Sequence, residues 1–167
     1  IRSMSPLGIG PVLKDRSAVN IGLVSCMSYL DDKGFGPSLV HRNGVTRARM
    51  FQEITIAQQT DCSDDAALAA ALDQLEATLN SPLGNMKGDY CVGQYTLADC
   101  AWAGVCQVAT NMGKGTAVSS RSAVNTWFAA VQSHPSTSKE AINPFSCLST
   151  KADHDGNTMR DVRINTA

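Results

Sequence analysis

Residues 92–102 read VGQYTLADCAW. Thr96 and Asp99 stand at the S/T-x-x-D/E spacing of a reciprocal capping box, which marks a helix start. In that arrangement the Thr96 hydroxyl accepts from the Asp99 N–H, and the Asp99 carboxylate reaches back to the N–H of Thr96. Donors that a helix start leaves without partners are thereby satisfied. Tyr95, just before the cap, is placed to pack on Cys100 as a hydrophobic staple. Asp99 could instead be read as a catalytic acid, but the spacing favours the buried cap, worth about 1 kcal/mol or more. On that reading, Asp99→Ala costs about 1–2 kcal/mol of stability.

Helical spacing extends on both sides of this start. Downstream, the helix from Leu97 buries Trp102, Val105 and Cys106, and Val124, Trp127, Phe128 and Val131 recur at i, i+3, i+4 and i+7 until Pro135 stops them. Upstream, Leu68, Leu72, Leu75 and Leu79 form one stripe, with Asp64 and Asp65 in the first turn, where the helix dipole favours acids. Residues 46–59 carry Phe51 and Ile54 on one face, and Leu23, Cys26, Met27 and Leu30 make a further apolar face. The glycines and proline of DDKGFGPSL, 31–39, read as a linker. Short strands are predicted just after Pro11 and over Ala18 to Ile21, and residues 143–167 are polar and without periodicity.

The 167 residues suffice for one ample domain, or for one domain with part of another. A hydrophobic share of 43% and a charged share of 17% are ordinary for a globular protein. The net charge of −1 gives no electrostatic reason to expect nucleic acid or an acidic membrane surface as partner. No apolar run approaches the roughly 20 residues of a membrane span, and no leader pattern opens the chain. Because it starts at Ile1, the N-terminus is read as processed or trimmed.

Of the six cysteines, Cys26, Cys62, Cys91, Cys100, Cys106 and Cys147, none forms a C-x-x-C pair or stands at zinc-finger spacing from a histidine. They read as buried thiols and suit a reducing intracellular compartment, cytoplasmic or organellar. His41, His134 and His154 are scattered and read as solvated, and DHDGN at 153–157 lacks the remaining ligands of a calcium loop. No metal site is expected.

Taken together, the segments resemble the glutathione transferase superfamily over most of the first 143 residues. SPLGIGPVL (5–13) is similar to the segment that leads into the third strand of that family's thioredoxin-like domain, with Pro11 at the cis-proline position. MSYLDDKGFGPSL (27–39) is similar to the end of the next helix and the interdomain linker, and TRARMFQ (46–52) to the start of the all-helical domain. LDQLEATL (72–79), GQYTLADCAW (93–102) and AVNTWFAAVQSHPS (123–136) resemble its later helices. Each segment is common alone; in this order they are specific.

The resemblance implies an α+β fold: a truncated thioredoxin-like α/β segment (1–32), a linker (33–44), an all-α glutathione transferase C-terminal helical bundle (45–143) and an extended tail (144–167). It implies that the β-α-β half carrying the thiol-activating Tyr, Ser or Cys is missing from this chain, so no residue here is assigned as catalytic.

It also places the glutathione contacts. Backbone around Gly10, Pro11 and Val12 would face the cysteinyl part of the peptide, with Gly10 where valine is usual. The family's Glu-Ser pair, which holds the γ-glutamyl end at a helix start, falls on Gly22 and Leu23. Leucine has no hydroxyl and glycine no carboxylate. Ser25 and Ser28 lie nearby but inside the helical pattern, and the turn before Thr96 is one residue shorter than usual. The expectation is a transferase-like protein with a degenerate glutathione site and no cofactor, serving as a docking module with other subunits or as a homodimer. The alternative is an active transferase, conjugating glutathione to electrophiles, whose catalytic N-terminus lies outside the chain.

Overall fold

The computed structural model describes residues 12–15, 18–34, 37–80 and 88–135. Gly10, Pro11, Cys147, His154, the 153–157 segment and the 144–167 tail lie outside the described residues. Contacts group Ile1–Gln132 as one unit and Ser133–Ala167 as another, of which only 133–135 are described.

Strands β1 (Val12–Asp15) and β2 (Ala18–Ile21) pair antiparallel, Val12 opposite Ile21 and Asp15 opposite Ala18. Helix α1 (Leu23–Lys33) follows at once and lies against both strands, buries Cys26, and is tied to β1 by the Tyr29 hydroxyl donating to Asp15 at 2.6 Å. Asp31 at its far end holds the linker. Its two oxygens accept from the Leu39 N–H at 2.7 Å and the Ser38 hydroxyl at 2.6 Å. The Leu39 carbonyl in turn accepts from the Leu97 N–H at 3.4 Å, so the linker also touches the helix that Thr96 starts.

The rest is helical: α2 (Gly44–Gln59), α3 (Asp65–Asn80), α4 (Leu97–Ala109), the short α5 (Gly115–Ser119) and α6 (Ser122–Ser133). The architecture is α+β, a thioredoxin-like β-β-α segment followed by an all-helical bundle. Local caps set the starts. The Asn43 side chain accepts from the Val45 and Thr46 N–H groups, so α2 begins two residues before the expected Thr46. Asp64 accepts from Ala66 and Ala67 at the start of α3.

The apolar stripes do what their spacing requires. Met50, Ile54 and Ala57 of α2, Leu68, Leu72 and Leu75 of α3, Trp102 and Cys106 of α4, and Val124, Trp127 and Val131 of α6 close one core. Phe51, Leu79 and Phe128 pack at its margin. Between α4 and α5 the chain kinks at Gly113, whose φ of 80° lies where side chains are strained. Lys114 then folds back on the α2–α3 turn, donating to the Cys62 and Ser63 carbonyls at 2.8 Å and pairing with Asp65 at 2.6 Å.

Helix α6 is capped from another helix. Glu76 of α3 accepts from the Ala123 N–H at 3.1 Å and the Val124 N–H at 2.8 Å. Burial pushes its carboxyl up, but the two amide donations, with Asn80 and Arg121, outweigh that and hold it below the ordinary glutamate value. A carboxylate so depressed adds stability above its unfolded-state value, which is lost as the pH falls through the lower folded one. Glu76→Ala is therefore expected to lose about 1 kcal/mol at pH 7. The gap to wild type should narrow at acid pH, below the ordinary value of 4.5, in paired urea titrations. An equal gap at both pH values would mean that the ionised cap contributes nothing.

Candidate functional site

The resemblance sets the charged end of a glutathione peptide at the junction of β2 and α1. Ile21 is the last paired residue of β2, opposite Val12, and Gly22 is the N-cap of α1. Gly22 has φ 89° and ψ 155°, a conformation essentially confined to glycine. Nothing lies within 4 Å of where its Cβ would stand, so the backbone angle, not space, excludes a side chain there. Leu23 is the first helical residue and is half-buried.

No side chain caps this helix start, and no acidic residue lies in its first turn. Its backbone turns regularly from the outset, the Cys26 N–H donating to the Gly22 carbonyl at 3.0 Å. Ser25 and Ser28 both lie within α1. The Ser25 hydroxyl donates back to Asn20 Oδ1 at 3.3 Å, and the Cys26 thiol to the Asn20 carbonyl at 3.4 Å. Gly22 and Leu23 thus offer neither a carboxylate nor a hydroxyl at this helix start. What is left is the partial positive charge of a helix N-terminus.

Thr96 and Asp99 form a second polar centre, entirely inside the helical bundle. Both are 0% exposed. The box is present, with Asp99 Oδ2 accepting from the Thr96 N–H at 2.8 Å. Its other leg, the Thr96 side chain accepting from the Asp99 N–H, is present as well. The Asp99 N–H also donates to the Thr96 carbonyl at 3.1 Å, and the Thr96 hydroxyl to Asp99 Oδ2, also at 3.1 Å. Tyr95 meets Cys100, hydroxyl to sulfur at 3.4 Å.

Asp99 Oδ1 has partners from further away in sequence. It accepts from the Cys91 N–H at 3.0 Å and from the Trp127 indole N–H at 2.8 Å. The loop before α4 is wound tightly to present that amide: a Cβ on Gly88 would meet the Gly93 carbonyl oxygen at 1.8 Å, so only glycine fits. Sealed from solvent and ringed by donors, Asp99 is held as an acceptor and has no route to a substrate.

Beside it lies Glu53 of α2, 4% exposed. It accepts from the Trp102 indole N–H at 3.1 Å and from the Thr78 hydroxyl at 3.4 Å. The sequence reading assigned Glu53 no role. The signal was a carboxylate inside the stripe Met50, Glu53, Ile54, Ala57, at core spacing.

The thiols give no activated nucleophile among the described residues. Burial raises Cys26, Cys62, Cys91 and Cys100 above the ordinary thiol value and pushes Cys106 up to about 12. At neutral pH such groups are thiols, not thiolates. No group of three or more metal-ligating side chains occurs among the described residues, and no helix among them is long and apolar enough to cross a membrane.

No protein-family model matches the chain, nor does any curated protein. Solved structures do match. One, described as the holo structure of maleyl pyruvate isomerase, a bacterial glutathione S-transferase in zeta class, superposes with a TM-score of 0.65. The match has 18% identity and covers 82% of this chain and 74% of that one. At that identity the likeness shows the fold, which is that of the glutathione transferase superfamily.

Proposed function

We infer that this chain, built on the glutathione transferase fold, is a transferase-like protein that does not hold glutathione in the transferase manner. It acts as a docking module, a subunit beside other proteins or one half of a homodimer, within the cell. One observation carries the reading: the start of α1 is Gly22-Leu23, with no side-chain cap and a glycine-only backbone at residue 22. A single substitution at Gly22 could not restore the lost carboxylate without strain.

The docking half of the reading draws on the same unit. Val19 of β2 and Leu30 of α1 are 47% and 45% exposed, apolar surface that a partner could cover.

The test is conjugation of glutathione to 1-chloro-2,4-dinitrobenzene by the natural full-length protein. The expected rate is the uncatalysed one, with the protein sedimenting as a dimer or a larger assembly. Turnover well above the uncatalysed rate would favour the active transferase, and a catalytically inert monomer would remove the docking role.

A further inference from the structure

We propose that Glu53 is a proton-responsive joint between α2, α3 and α4, ionised at the cost of the helical packing and relaxed when it takes up a proton.

The geometry carries this. Glu53 is 4% exposed, and among the described residues it forms no ion pair within 4 Å. Among the described residues its hydrogen bonds come from neutral donors on two other helices, the Thr78 hydroxyl of α3 on Oε1 and the Trp102 indole of α4 on Oε2. A buried carboxylate with no ion pair and without a full set of donors favours its protonated form.

The charged and titratable surroundings agree on the sign. From α2 itself, Arg49 attracts the charge, one turn away. From α4, Asp99 repels it, and before α4 the Cys91 thiol, raised first by burial, is pushed further up by Asp99 and Glu53. Glu53 holds only two donations, one on each oxygen. Burial raises Glu53 above the ordinary 4.5, more than Trp102, Thr78 and Arg49 lower it. With the folded value above the unfolded one, its contribution is fully present below about 4.5 and is lost as the pH rises through the folded value.

The two tryptophans make the joint observable, because only Trp102 bonds Glu53 while Trp127 bonds Asp99. The experiment follows both indole N–H resonances of the intact chain from pH 4 to pH 8. The Trp102 signal should titrate with a midpoint above 4.5, and Thr78→Val, which removes a donor to the ionised form, should move that midpoint higher. In Glu53→Gln the Trp102 titration should vanish, and the denaturation midpoint should exceed that of wild type at pH 8 but match it at pH 4. A Trp102 midpoint at or below 4.5, or one that Thr78→Val leaves in place, would overturn the proposal.

Discussion

Asp99→Ala is expected to lower the unfolding free energy by about 3–5 kcal/mol, well beyond the roughly 1 kcal/mol of a lost helix cap. The carboxylate is fully buried and accepts from the Thr96 N–H, the Thr96 hydroxyl, the Cys91 N–H and the Trp127 indole. A hydroxyl can turn elsewhere, but three N–H donors would be left inside the core. Each buried donor without a partner costs about 1–3 kcal/mol. Relaxation of the loop at Cys91 recovers part, which sets the range. Against a typical total of about 5–15 kcal/mol, this loss puts the native state at risk. Asp99→Asn should fall between, because its carbonyl oxygen can still serve Cys91 and Trp127 while its amide opposes the Thr96 N–H. Urea unfolding followed by tryptophan fluorescence reads both. A loss of only about 1 kcal/mol for alanine would mean that Asp99 caps α4 and does nothing more.

That larger figure marks where sequence reading stops. The leucine stripe of α3 and the Thr96–Asp99 box are legible because their partners lie within a turn of one another. Trp127 lies 28 residues beyond Asp99, and nothing local connects them. The capping motif therefore gave the location of the buried acid but about half of its partners. Glu53 shows the converse: its position in the stripe was visible, but its burial depends on α3 and α4 closing over α2. Helix α5 lay hidden between Gly113 and Ser120, where short, small-residue turns leave no apolar period.

The candidate glutathione site divides in the same way. The resemblance sets the Glu-Ser pair on Gly22 and Leu23 by their distance to Tyr29 and Leu30. It does not set the angle at Gly22, since a glycine in sequence is compatible with any backbone. Its φ of 89° turns a substitution into a conformational commitment. Asn20 likewise has no part in the sequence reading, yet it accepts from both Ser25 and Cys26, so the contact of the nearby serine is directed back to β2.

Glutathione is small, flexible and charged, so its affinity rests on a few well-placed polar contacts. On the proposed reading, Gly22 and Leu23 lack the two charged hydrogen bonds, of about 1.5–3 kcal/mol each, that a Glu-Ser pair would supply. Their loss corresponds to roughly two to four orders of magnitude in affinity. The helix N-terminus that remains offers about 0.3–1 kcal/mol to an anion at a solvated site, too little to compensate. Isothermal titration of glutathione into the natural full-length protein measures this directly. The account predicts heats indistinguishable from dilution or a Kd in the millimolar range, whereas a Kd in the micromolar range would contradict it.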